Sequence, residues 1–290
     1  ILDDVVQHRA ELLGLFRGQQ GTGVLHRHRR LLQHLGPVNL GQLVELVHAL
    51  ARLAEMGVFA EGIALGEEGI RIAEAADNPY SLISALLGLG TLYLLKGESP
   101  QAIPVLERSL GLCRSWNLPL LFPAVASSLG SAYALAGRLA EAIPLLEKAV
   151  VQAVSMKLMA GHSIFVARLG EAYLLAGRVD EAIQLAARAL QLSRNQQERG
   201  HEAYALHLLG EIGLRRDPLD REKAEQCYRQ ALALTEELGM RPLLAHCHLG
   251  LTTLYRRTGD RSKAEQHVAA ASTLFHQMDM RLWLERVERN

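Results

Sequence analysis

Apolar positions along this chain recur at steps of three and four residues. Leu86, Leu89, Gly90 and Tyr93 share one stripe, and Ala102, Leu106, Ser109 and Leu110 share the next. Steps of this kind follow a 3.6-residue period, so both stretches are predicted as amphipathic helices. Gly97 stands between them, the residue type best suited to end a helix in the left-handed conformation. Ser99-Pro100 then predicts an N-cap serine and a first-turn proline for the second helix.

The pair recurs. LGTLYLLKG at 89–97 is followed by LGSAYALAG at 129–137 and LGEAYLLAG at 169–177. LGEIGLRRD at 209–217 loses the Tyr and the last Gly, and LTTLYRRTG at 251–259 restores both. Anchored on Tyr93, Tyr133, Tyr173, Gly213 and Tyr255, the spacings are 40, 40, 40 and 42 residues. The two extra residues fall in Asp217-Pro218-Leu219-Asp220. Leu53, Gly57 and Gly62 mark a weaker earlier unit. A repeat of this length means a solenoid or array, because each unit buries its apolar face only against its neighbours.

The predicted fold is therefore all-α, a right-handed superhelical α-solenoid of antiparallel helix pairs, A and B. Its units run near 41–80, 81–120, 121–160, 161–200, 201–242 and 243–277. A degenerate pair is expected over 1–40, and a C-terminal capping helix begins in 278–290. The structural positions are Gly90, Tyr93, Gly97 and Ala102, then Gly130, Tyr133, Gly137 and Ala142, then Gly170, Tyr173, Gly177 and Ala182. Ala224, Tyr255, Gly259 and Ala264 continue the series. The small residues let helix A approach helix B, and the Tyr is expected to fill the wedge between helix A and its own helix B. Pro104 and Pro144, also forty apart, are expected to bend the first turn of helix B without abolishing it.

Composition supports this picture. Aromatic content is 5% and Leu and Ala dominate, which favours helix over strand. The 31 basic and 31 acidic side chains cancel, so no global charge draws the chain to nucleic acid or an anionic membrane. Three cysteines, Cys113, Cys227 and Cys247, are too few and too scattered for a disulfide framework and fit a reducing, cytoplasmic setting. No apolar run approaches the roughly 18 residues of a membrane span. The first residues are not a signal peptide, and the start at Ile1 without Met suggests a piece of a longer protein.

The pattern resembles the tetratricopeptide repeat, whose Leu-Gly, Tyr and later Ala positions are matched by Leu89-Gly90, Tyr93 and Ala102. At about forty residues these units look like the long-repeat arm of the bacterial maltose-regulon transcription activator and related signalling ATPases. LYRRTG at 254–259 and MDMRLWLE at 278–285 are similar to the C-terminal end of bacterial proteins that fuse nucleotide-cyclase, ATPase and tetratricopeptide parts. The resemblance implies a non-enzymatic interaction and regulatory module, the arm of a larger bacterial signalling protein.

Catalytic, cofactor and metal signals do not emerge. GLGTLY at 88–93 places its glycines inside a helix with no strand before them, and GQQGTG at 18–23 lacks the Lys-Ser/Thr of a phosphate loop. His26/His28 and His246/His248 are two apart, which turns helical side chains to different faces. Asp3-Asp4, Glu67-Glu68 and Glu236-Glu237 read as solvated. HRHRR at 26–30 has no interleaved aromatics and is a poor nucleic-acid signal. The expectation is no enzyme, no cofactor, no metal, no nucleic acid and no membrane.

The expected working surface is the concave face, lined by helix A of each unit. Tetratricopeptide modules that hold a peptide's terminal carboxylate use Lys and Asn there. This chain has Leu87, Ser127, Ala167, His207 and Leu249 at the first position. It has Thr91, Ser131, Glu171, Glu211 and Thr253 at the second. Such a carboxylate clamp is therefore absent. Tyr204, His246 and Arg256 complete the predicted binding surface, whose partner is a protein or peptide, or another domain of the same polypeptide. The alternative is a small-ligand, sugar-like sensor built on Tyr204, His207, Glu211, His246 and Arg256. Ile1 to Phe16 and Trp283 to Asn290 are expected as open edges, compatible with a homodimer.

Overall fold

A computed structural model describes residues 49–289 except residue 217. The predictions for 1–40, the glycine-rich turn at 18–23, the basic run at 26–30 and the Ile1 edge lie outside the described residues. Among the described residues every regular element is a helix.

Residues 49–56 form the end of the first helix A. Its helix B is α1 (Phe59–Ala75). The following A/B pairs are α2 (Pro79–Lys96) with α3 (Ser99–Ser115), and α4 (Phe122–Leu135) with α5 (Leu139–Ser155). Next come α6 (His162–Leu175) with α7 (Val179–Asn195), α8 (Arg199–Arg215) with α9 (Arg221–Leu238), and α10 (Arg241–Thr258) with α11 (Arg261–Gln277). A last helix, α12 (Arg281–Arg289), follows. Each helix packs on its sequence neighbours, and the A helices α2, α4, α6, α8 and α10 also touch one another in series. The A helices therefore make a continuous inner wall and the B helices an outer one.

Left-handed residues punctuate the stack at both kinds of turn. Gly57, Gly97, Gly137, Gly177 and Gly259 turn helix A into helix B. At Gly97, φ is 93°, and Glu98 N–H returns to Tyr93 C=O at 2.8 Å. The B-to-A turns also need φ > 0, and there the residues are Asp77, Asn117, Lys157, Gln197, Gly239 and Asp279, with Gly161 a second left-handed residue in the turn before α6. One sequence detail is corrected here: α3 has Glu98 as its N-cap, with no side-chain bond, and Ser99 is its first residue, buried. Pro104 and Pro144 lie within α3 and α5, which run on past them.

The repeat tyrosines also reach beyond their own unit. Tyr133 on α4 donates to Glu107 Oε1 at 2.7 Å, and Tyr173 on α6 donates to Glu147 Oε1 at 2.6 Å. Both acids sit on the B helix of the preceding unit. Tyr255 on α10 likewise donates to Glu225 on α9 at 2.8 Å. The Tyr thus ties unit to unit while also meeting its own helix B: Tyr255 stacks on His267 of α11, ring centres 5.5 Å apart. The small Gly does the intra-unit work: a Cβ on Gly130 would fall 2.6 Å from Leu146 Cγ on its own helix B. Arg138 and Arg178 then stack on Tyr133 and Tyr173, 4.2 and 3.7 Å from the ring centres.

Unit 201–242 has Gly213 where the Tyr should be, and Ala224 fills the space: a Cβ on Gly213 would meet Ala224 Cβ at 2.8 Å. Its helix B carries Tyr228 at the position held by Leu106 and Leu146 in earlier units. Tyr228 is fully buried between Gly210 and Gly250. The aromatic ring has moved from helix A to helix B.

The stack closes on itself. One apolar cluster joins Leu50, Leu53, Phe59 and Leu92 from the first described units to Ala245, Phe275, Met278, Met280 and Val287 from the last. Gly57 leaves no room for a side chain because Met278 occupies that space. Trp283 lies against Gly97, its Nε1 2.5 Å from where a Cβ would stand. Lys96 pairs with Asp279 and Glu98. The expectation of an open C-terminal edge at Trp283 is therefore wrong: α12 seals against the start of the described chain, because its apolar Leu282, Trp283, Leu284 and Val287 need cover that α11 alone does not supply. The expectation that no run approaches a membrane span was also too strict. By length and composition α2 is apolar enough to cross one, with mean hydropathy 1.2 over 18 residues. Half of it is buried within the fold, where α1, α3 and α4 pack around it.

Candidate functional site on the inner wall

Among the described residues, closure brings the first A helix against α10 and α11 and so bounds the concave face at the seam. Glu171 on α6 keeps exposed surface. Yet burial is the first cause of its raised carboxyl pKa, followed by the nearby Glu211. Open surface amid surrounding protein places Glu171 on a recessed part of the inner wall. Glu55, on the first A helix, is also raised by burial, and is opposed by the fields of His201, Arg52 and Arg168. Residues far apart in sequence therefore face a shared space.

The predicted binding residues divide into three groups. Ser127 and Ala167 are corrected: both are buried in the core between A helices, because inner-wall helices this closely packed cover each other's flanks. Leu87 and Leu249 are half-buried supports of the two main apolar clusters. Thr91 and Thr253 already donate to their own helices, at Leu87 C=O (2.8 Å) and Leu249 C=O (3.1 Å). Ser131 is half-buried and Arg256 exposed. The remaining group, Glu171, Tyr204, His207, Glu211 and His246, is brought together.

Glu211 is fully engaged. It accepts from Tyr228 Oη at 2.6 Å and from Arg215 Nη1 at 2.7 Å, and His207 Nε2 lies 4.0 Å away. Burial alone would raise its pKa, but His207, Arg215 and the Tyr228 bond together hold it low. His207 and His246 stand edge to face, 6.3 Å apart, and His246 meets Trp283 at 4.3 Å and Phe275 at 5.2 Å. Burial, then the neighbouring His207, push His246 down to about 3, so it is a neutral ring near pH 7.

Glu171 is different. It occupies the same repeat position as Glu211, forty residues earlier, but Ala186 and Leu175 stand where Glu211 finds Tyr228 and Arg215. It makes no hydrogen bond or ion pair among the described residues. Arg168, one turn before it, donates Nη1 to Ser128 Oγ at 3.0 Å and Ser127 Oγ at 3.4 Å. Sequence reasoning missed Arg168, Glu55, Tyr228 and Trp283. Arg168 interrupts the apolar run IFVARL at 164–169, and that break in the pattern was the available signal.

Two other polar groupings have structural readings. Ser163, Glu198 and His201 form a cluster joining α6 to α8, with Ser163 Oγ 2.9 Å from His201 Nδ1 and Glu198 Oε2 3.1 Å from the same nitrogen. A proton relay needs the hydroxyl and the acid on opposite ring nitrogens, and Ser163 is buried, so this is not a nucleophile. His248 and His267 bring their Nδ1 atoms within 2.8 Å between α10 and α11. No group of three or more metal-ligating side chains exists among the described residues. All three cysteines are buried and free. Outside the concave face, a cleft of about 490 Å³ opens between α3 and α5, lined by Glu107, Arg114, Tyr133 and Lys148.

Tetratricopeptide-repeat models match residues 85–115 and 133–206. No curated protein matches the chain by sequence. Among solved structures, the apo form of RapI is similar with a TM-score of 0.64 at 9% identity, over 95% of this chain and 91% of that one. A Rap protein complexed with competence and sporulation factor gives 0.63 at 13%, over 99% and 92%. A signal transduction ATPase with numerous domains, carrying a tetratricopeptide repeat sensor, from Pyrococcus horikoshii, gives 0.55 at 17%. That match spans 93% of this chain and 43% of the other. At these identities the likeness concerns the fold.

Proposed function

We propose that this tetratricopeptide-type repeat chain is a non-enzymatic binding and regulatory module that takes its ligand into the hollow bounded by its A helices. The observation that carries this reading is the polar group Glu171, Tyr204, His207, Glu211 and His246 on the inner wall of a stack closed by α12. Closure sets the ligand's cross-section. A short extended peptide or a small molecule fits such a space better than a docked helix. In the proposed setting the module is the cytoplasmic arm of a larger bacterial signalling protein. The Rap protein complexed with competence and sporulation factor and the tetratricopeptide repeat sensor of the Pyrococcus protein support this reading. A small-ligand sensor is the second reading, favoured by the polarity of that wall.

The test fills the hollow. Glu171→Trp puts bulk on an exposed inner-wall position and should leave the melting temperature within a few degrees. It should also abolish binding of any peptide or metabolite that stabilises the wild-type chain in thermal-shift screens. Ligands that bind Glu171→Trp as tightly as wild type would move the site elsewhere.

A further inference from the structure

Two charged residues of α6 lack ion-pair partners among the described residues. Arg168 and Glu171 are three apart on α6 and so share a face. They do not pair with each other, and no carboxylate lies within ion-pair distance of Arg168 among the described residues. The serines of α4 hold one guanidinium nitrogen and leave the rest of the planar fork unused. Tyr204, on α8 next to both, has a phenol with no hydrogen bond among the described residues. Its electrostatic neighbours are Glu55, Arg168 and Glu171.

Charges held out of bulk water without partners are costly, and a fold does not need them here: Glu211, the repeat equivalent of Glu171, is fully satisfied. A ligand of a single sign fits poorly. An anion on Arg168 would sit beside Glu171 and Glu55. A cation on Glu171 would sit beside Arg168 and Arg215. A molecule carrying both signs a short distance apart answers both groups.

We infer that Arg168, Glu171 and Tyr204 form a binding site for a small zwitterion of the α-amino acid type. The ligand carboxylate takes the free edge of the Arg168 guanidinium and the Tyr204 hydroxyl, and its ammonium group takes the Glu171 carboxylate. This rests on the reading that the hollow binds a ligand, and it names that ligand's chemistry.

The experiment titrates the chain with each of the common α-amino acids at millimolar concentration, by thermal shift and calorimetry. The N-acetyl and carboxamide forms of each are run in parallel. At least one free amino acid should stabilise the chain, and capping either end should weaken it by about tenfold or more, the size of one lost charge-assisted bond. Glu171→Gln should weaken the free amino acid by a similar factor and leave the N-acetyl form unchanged. Arg168→Lys should weaken the free acid more than its carboxamide. Capped forms that bind as well as free ones, or an indifferent Glu171→Gln, overturn the zwitterion. If a capped peptide then binds wild type but not Glu171→Trp, the hollow stands as a binding site and only the zwitterion falls. If no free or capped probe binds wild type, both fall.

Discussion

The ammonium group of Lys96 lies 3.3 Å from Asp279 Oδ2, across 183 residues of sequence. It marks the seam where the last helix meets the first described units. The pair itself contributes little, since Asp279 is 59% exposed and an exposed ion pair is worth roughly 0–1 kcal/mol. The seam is held by apolar contacts: Met278 over Gly57 and Trp283 over Gly97.

This separates two variants. Asp279→Asn should change stability by less than about 1 kcal/mol in urea titrations. Trp283→Ala should cost about 3 kcal/mol, because it removes a large ring packed between Gly97, His246 and Phe275. Small-angle scattering should show an enlarged radius for Trp283→Ala alone. An unchanged radius would mean the seam is closed by something other than α12.

Tyr228 and Gly250 make a second coupled pair. The ring of Tyr228 occupies the space of a Gly250 side chain and of a Gly210 side chain, whose Cβ would lie 2.8 Å from the ring. Gly250→Ala should cost about 3 kcal/mol by overpacking. In a Tyr228→Leu background the same change should cost much less, and a double-mutant cycle in chemical denaturation measures the difference. Additive costs would show that the ring and the glycine do not share the space.

The helix pairs, their forty-residue period and the left-handed glycines were legible in the sequence, because each depends on local spacing. The tyrosine's partner was legible too, in principle. Glu67, Glu107 and Glu147 stand 26 residues before Tyr93, Tyr133 and Tyr173, and Ala187 stands 26 before Gly213, where the Tyr is lost. Tyr255 departs from this register: Arg229 stands 26 residues before it, and its acid is Glu225, 30 residues before. Closure was not legible. It depends on the superhelical rotation summed over six units, which no single repeat encodes. For the same reason the sequence placed Ser127 and Ala167 on a free surface, although neighbouring A helices bury both.

The B-to-A turns offer a gain in stability. Lys157 and Gln197 hold φ of 54° and 56°, a conformation that costs an L-residue with a Cβ roughly 1–2 kcal/mol. Gly239 occupies the equivalent place in the longer unit. Lys157→Gly should raise stability by about 0.5–1 kcal/mol, the strain relieved less the added freedom of the unfolded chain. A lower melting temperature in the variant would show that Lys157 makes a contact worth more than its strain.

Acid should loosen the C-terminal units first. Burial and His207 lower His246 to about 3, and burial and His267 lower His248 to about 4. An unfolded histidine titrates near pH 6.5. Between these values the unfolded chain binds more protons than the folded one, so stability rises with pH across this window. The contribution is complete above about pH 6.5 and is lost as pH falls toward 4 and then 3. Glu198 acts in a lower window. Burial would raise it, but bonds from His201, Ser163 and the Gly161 N–H hold it at about 2, so its contribution fades below about pH 4.3. Melting temperatures at pH 7.5, 6 and 5 should therefore fall in wild type while Glu198 still contributes in full. His246→Phe, which keeps an aromatic ring against Trp283 and Phe275, should flatten that fall. An equal fall in the variant would assign the acid sensitivity to other groups, with the His248–His267 pair the next to replace.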